Sequence, residues 1–160
     1  MTHVSHENGE LETTPEDVFS EHYPSVYRLA LSLYGNHADA EDIAQEVFLA
    51  ILRSLPSFRG ESSLGTWVYR ITLRIGYRWV ARRRDTVEID GRAAAPDQSL
   101  PIDLIQALRQ LPIQARMVVL LVTVEGLTHD EAAQVLAIPS GTVASRLHHA
   151  RKRLAELLAD

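Results

Sequence analysis

The stretch from Asp85 to Leu100, DTVEIDGRAAAPDQSL, is the one long interruption in a chain that otherwise follows helical periodicity. It mixes glycine, proline and acids and has no apolar stripe, so it can neither propagate a helix nor pack as a strand. A chain of 160 residues divided there has room for two small units, 14–84 and 101–160, with 85–100 as a flexible linker. Residues 1–13 are polar and aperiodic and are expected to form a disordered tail, with a metal site built on His3 and His6 as a remote alternative. Neither unit shows the alternation of a half-buried strand, so the expected fold class is all-α, two small helical domains.

Helix punctuation fits this division. Thr14 is placed to cap a first helix, with Pro15 at its first position and Gly35 as its stop, and Pro24 is expected to bend or split it. A second helix spans 38–55 and ends at Leu55-Pro56. The loop SFRGESS then leads into a third helix over 66–84. Beyond the linker come a helix in PIDLIQALRQL, a long apolar helix from Pro112 to about Glu125, and two short helices.

The net charge of −5 conceals a sharp partition. Residues 1–50 carry −9, 51–84 carry +7, 85–107 carry −4 and 108–160 carry +1. Charge blocks of opposite sign on one unit call for a basic partner on one face and an anionic partner on another. The absence of cysteine excludes disulfides and thiolate metal sites and fits a cytoplasmic location. No apolar run approaches the roughly 20 residues of a membrane span, and the N-terminus lacks the order of a signal peptide.

Three stretches carry function. In DAEDIAQEVF, Asp39, Asp42 and Glu46 recur at i, i+3 and i+7 and share one face, while Ile43, Val47 and Ile51 form the packing stripe. Without histidine or cysteine between them they suit a protein-docking face rather than a metal. In TWVYRITLRIGYRWVARRR, Leu64, Val68, Ile71, Ile75 and Trp79 form a core stripe, while Arg70, Arg74 and Arg78 repeat every four residues beside Trp67 and Tyr77. Aligned arginines repel unless an anion runs alongside, and neighbouring aromatics can stack on unpaired bases or pack into the core; both roles stay open for Trp67 and Tyr77.

The third stretch is LTHDEAAQVLAIPSGTVASRLHHARKRL. Thr128 and Glu131 have capping-box spacing, Ala137-Ile138-Pro139 makes a turn, and Ser140 is placed to cap the next helix. In that helix Val143, Leu147, Ala150 and Leu154 face inward, leaving Gly141, Ser145, His148 and Lys152 outward, with Thr142, Arg146 and His149 to one side. This is a helix-turn-helix whose second helix is shaped for a major groove.

In this order and spacing, DAEDIAQEVF, SFRGESSLGTWVYRI with its trailing ARRR, and LPIQARMVVLLVTVEGLTHDEAAQVLAIPSGTVASRLHHARKRL resemble the extracytoplasmic-function (ECF) group of bacterial RNA polymerase sigma factors. The resemblance covers about residues 14–158. It implies a sigma region 2 helical bundle over 14–84 and a sigma region 4 helix-turn-helix over 101–160. It also implies a non-catalytic subunit that binds core RNA polymerase and directs initiation at cognate promoters, held in check by an anti-sigma factor. Asp39, Asp42, Gln45 and Glu46 would dock on the clamp of the largest subunit, and the second unit would touch the flap of the other large subunit.

Phe58, Arg59, Gly60, Glu61, Ser62, Ser63 and Leu64 would border a pocket for a flipped base of the minus-ten element, with Trp67, Arg70, Arg74, Tyr77 and Arg78 along the DNA. Ser140, Thr142, Ser145, Arg146, His148, His149 and Lys152 would meet the minus-thirty-five duplex. Relatives commonly carry Asn in place of Arg74, Asp or Asn in place of Arg78, and Arg in place of His149. Arginine favours guanine edges or phosphate whereas asparagine suits adenine, so the promoter read here need not be theirs.

A free-standing helix-turn-helix regulator is the competing reading, but it leaves the acidic face and the arginine helix without a joint purpose. An enzyme is disfavoured because the chain has no nucleophile–base pair, phosphate loop or metal set, and no cofactor is expected.

Overall fold

A computed structural model describes residues 13–34, 36–83 and 101–159. Residues 1–12 of the expected 1–13 tail, the linker over 85–100, Arg84 and the stop at Gly35 lie outside the described residues. The described residues form seven α-helices with no strand among them. The first region holds α1 (Pro15–Tyr34), α2 (His37–Ser54), a 3-10 turn (Leu55–Ser57) and α3 (Leu64–Arg83). The second holds α4 (Ile102–Arg109), α5 (Ile113–Val119) continued by a π-helical turn (Leu120–Val124), α6 (His129–Leu136) and α7 (Ser140–Leu158).

Each start has a local cause. The Thr14 hydroxyl accepts from the Asp17 amide at 3.2 Å while the Asp17 carboxylate accepts from the Thr14 amide at 3.1 Å, a reciprocal cap that opens α1. Hydrogen bonds from Thr14 hold the Asp17 carboxyl below its ordinary value. Asn36 caps α2 through the Asp39 amide at 3.1 Å, and Thr128 with Glu131 forms the expected capping box on α6. Ser140 is not a cap: it is the first residue of α7, the cap position falls to Pro139, and no side chain bonds there. Pro24 does not split α1. Its ring is exposed, and around it the Phe19, Tyr23 and Phe48 rings pack at 4.9 to 5.8 Å, enough to offset one missing backbone bond.

The long apolar helix expected from Pro112 ends in the π turn, where the Glu125 amide donates to Leu120 O at 2.9 Å. One extra residue in a turn rotates the downstream chain by about 100°. Gly126, at φ +75, then reverses the chain, a conformation that costs a side chain energy. Of the two helices expected to be short, α7 runs 19 residues.

Two apolar clusters form the core. One lies within α1, α2 and α3, around Val26, Ile43, Val47, Val68 and Ile75. The other joins α4 to α7 and also takes in Leu29, Leu33, Tyr69 and Leu73 of the first region. The two regions are therefore packed on each other, α3 against α6 and α1 against α4.

Polar bonds secure this seam. Arg28 on α1 grips Glu125 with two bonds, Nε to Oε1 at 2.7 Å and Nη2 to Oε2 at 3.0 Å. The Tyr69 hydroxyl donates to the same carboxylate at 3.0 Å. Arg116 reaches across from α5 to Leu33 O at 3.1 Å while also donating to Leu108 O, Arg109 O and Leu111 O, so it caps the ends of α1 and α4 together. Burial, and to a lesser degree the nearby Arg109 charge, lower its affinity for its proton.

Replacing Arg116 by Met should lower the unfolding free energy by about 3 kcal/mol in urea titrations, since several part-buried carbonyls lose their donor. Tyr69 supplies a pH test. Burial, aided by the Glu125 carboxylate, pushes its hydroxyl from 10.0 up to about 12 against the opposing pull of Ser25 and Arg28. A raised folded value means stability that is complete below pH 10 and lost as pH rises through 12. Chemical denaturation between those limits should show a steeper loss for wild type than for Tyr69→Phe.

Candidate nucleic-acid interface

The α2 surface differs from the sequence expectation at one residue. Asp42, Gln45 and Glu46 are exposed together, but Asp39 is only 6% exposed. Its carboxylate accepts from Asn36 Nδ2 at 2.7 Å as part of the helix start, so Asp39 is withdrawn from the exposed acidic surface. Two leucines extend that surface. Leu49 and Leu52, each 51% exposed, lie seven and ten positions after Asp42 on the same side of the helix. Extending the acidic stripe at helical spacing would have found them. The result is an acidic patch merging into an apolar one, with Glu46 accepting from Trp79 Nε1 of α3 at 3.1 Å.

The loop before α3 holds Phe58 half-buried against Trp67, ring centroids 5.0 Å apart. Around it Arg59, Gly60, Glu61 and Ser63 are exposed, and Ser62 and Leu64 are half-buried. Gly60, at φ +72, turns the loop. Ser63 accepts from the Thr66 amide at 3.1 Å and so serves to start α3. Trp67 packs partly on the first cluster, so core and surface share its ring.

Along α3, Arg70, Arg74 and Arg78 are exposed as expected. The structure does not leave the first of them open: Arg70 Nε donates to Gln134 O of α6 at 2.8 Å. Tyr77 is half-buried and packs against the cluster of the second region. Burial raises its proton affinity, while the Arg146 charge acts in the opposite direction. Arg70, Arg74, Tyr77 and Arg146 line one groove of about 540 Å³ between α3 and the helix-turn-helix, floored by Leu73, Val135 and Ile138.

On α7 the stripe of Val143, Leu147, Ala150 and Leu154 is buried, as its spacing required. Ser140, Ser145, His148, His149 and Lys152 are exposed, and Thr142 and Arg146 are half-buried. The His148 and His149 rings meet edge to face, 5.6 Å apart. Ala137, at φ 54, makes the left-handed turn that sets α7 across α6.

Sequence reasoning missed the seam residues Arg28, Tyr69, Arg116 and Glu125. A signal existed for two of them. Arg28 is the one Lys or Arg within residues 1–50, and Glu125 is the one acid within 104–129. Isolated charges inside apolar helices stay buried only when paired. Among the described residues no group of His, Asp or Glu is placed to hold a metal, and no helix is long and apolar enough to cross a membrane.

Known proteins match both regions. Residues 18–86 match the Sigma-70 region 2 family and residues 102–154 match Sigma-70, region 4. The ECF RNA polymerase sigma factor SigE of Mycolicibacterium smegmatis is 34% identical over 90% of this chain, which spans 61% of that protein's length. The ECF RNA polymerase sigma factor EcfG of Rhodopseudomonas palustris is 34% identical over 84% of this chain and 80% of its own. The sigma factor RpoE of Bartonella quintana, solved in complex with the anti-sigma factor NepR, superposes with a TM-score of 0.81 at 29% identity, covering 90% of this chain and 96% of that one. Two sigma regions in the order the motifs required, with relatives spanning both, place the chain in the ECF family of RNA polymerase sigma factors.

Proposed function

We propose that the protein is a non-catalytic specificity subunit: it binds core RNA polymerase in the cytoplasm, directs initiation at a set of promoters, and is controlled by an anti-sigma factor. The observation that carries this reading is the pairing, within residues 14–84, of an exposed acidic and apolar α2 face with an exposed arginine row on α3. A protein that had only to bind DNA would gain nothing from the first and be repelled by its charge.

In this reading the α2 face of Asp42, Gln45, Glu46, Leu49 and Leu52 docks on the polymerase clamp. Carboxylates steer it to a basic surface, and the two leucines add apolar area once contact is made. The α3 row tracks the phosphates of the minus-ten element, and the loop from Phe58 to Ser63 borders a pocket for a base leaving the stack. Residues 101–160 present Ser145, Arg146, His148, His149 and Lys152 to the minus-thirty-five major groove and contact the polymerase flap. The linker, 85–100, joins the two. The Bartonella relative's complex with NepR supports control by an anti-sigma factor.

Purified protein with core polymerase should start transcription from a cognate promoter, while the protein alone binds duplex DNA weakly; tight operator binding without polymerase would point instead to a free-standing regulator. Reversing Asp42 and Glu46 to Lys should abolish co-elution with core polymerase and leave the circular dichroism melt unchanged. Arg74→Ala and Arg78→Ala should each flatten the log–log salt dependence of promoter binding by the holoenzyme by about 0.9, the weight of one phosphate contact. An unchanged slope would place those arginines off the DNA.

A further inference from the structure

The two sets of side chains assigned above to different promoter elements share one groove. Arg70 and Arg74 belong to the minus-ten set and Arg146 to the minus-thirty-five set, yet all three line the same space between α3 and the helix-turn-helix. The two elements lie about 25 base pairs apart by name, which is about 85 Å of duplex at 3.4 Å per pair. Duplex DNA is stiff over some 150 base pairs and does not fold back over that span without large cost. The packed arrangement therefore cannot place both sets on one promoter.

Resting on the sigma reading, we propose that this packing is an autoinhibited state latched by Glu125, and that release of the latch frees both DNA-binding faces. Two observations converge on that residue, and a third links it to the DNA-binding faces. Its side chain is 3% exposed and receives two bonds from Arg28 and one from Tyr69, all from the other region. The π turn before it rotates it away from where a regular α5 would point it. The same docking commits Arg70 Nε to Gln134 O and covers Tyr77.

The chemistry suits a reversible catch. A buried ion pair contributes little net stability because hydration is lost on both sides, but it penalises any docking that leaves one partner unpaired. Opening returns Arg28 and Glu125 to water, so the latch selects one closed register without sealing it. The seventeen residues between Arg83 and Pro101 span at most about 60 Å when extended, ample for the regions to part.

The chain has no cysteine, so spin labels on Glu21→Cys and Ala155→Cys, both exposed and outside the proposed binding faces, report the separation of the regions in the full protein. Pulsed electron resonance on wild type should give one short distance. Glu125→Gln should add a long, broad population and raise promoter-dependent transcription at limiting protein at least fivefold, the low end of measured coupling energies. Arg28→Glu combined with Glu125→Arg should recover the short distance and the low output.

A wild-type distribution that matches Glu125→Gln would overturn the latch, as would opening with no gain in output. Should Glu125→Gln fail to fold, Tyr69→Phe carries the same test with a smaller shift. If no variant supports transcription with core polymerase, the sigma reading and the inhibitory role fall together, while the distances still decide whether Glu125 holds the regions closed.

Discussion

The Glu125 carboxylate, shut from water at the seam between two helical regions, is the constraint around which the rest is arranged. A charge in that position must be met by another, and Arg28 meets it in the bidentate geometry that gives guanidinium–carboxylate pairs their directional strength. Once that pair forms, α5 and its π turn have one place to sit on α1, and α6 follows onto α3. The apolar residues of the second cluster supply most of the attraction, but attraction between leucines has no preferred register. The polar bonds supply the register, and Arg116, which ties Leu33 O to the end of α4, repeats the device at the other end of the seam.

That arrangement sets the electrostatics of the functional faces. The α3 helix has a core side and an arginine side, and the second region covers part of the latter. Arg78 stays exposed, whereas Arg70 is held by a backbone carbonyl and Tyr77 is packed. The α2 face is spared this covering: its carboxylates and leucines stay open, with Glu46 bridged to Trp79. An acidic, partly apolar surface and an arginine-rich surface thus occur on neighbouring helices and carry opposite charge, so the two faces select for different partners.

The local sequence determined a good deal. Helical spacing placed Val143, Leu147, Ala150 and Leu154 inward, and side-chain chemistry at Thr14 and Thr128 started α1 and α6, because caps and stripes depend on residues within a turn or two of one another. The acidic stripe on α2 was legible for Asp42 and Glu46 for the same reason. Asp39 was not, because whether a carboxylate faces solvent or folds back to Asn36 depends on how the chain enters the helix. The π turn was hidden as well: Met117 to Leu121 are apolar without a break, and a segment apolar on all sides carries no periodicity from which its register can be read.

What the tertiary structure alone decided is the relation between the two regions. Arg28 and Glu125 are 97 positions apart, and no periodic pattern links residues at that distance. Each is conspicuous in the sequence as an isolated charge, which shows that it needs a partner but not which one. The pairing emerges only when α1, α3 and the end of α5 are brought together, since the match depends on distance and direction in space. The sequence by itself determined which helices form and which faces are apolar, acidic or basic. The packing decided which of those faces meet each other, and so which remain open to a partner.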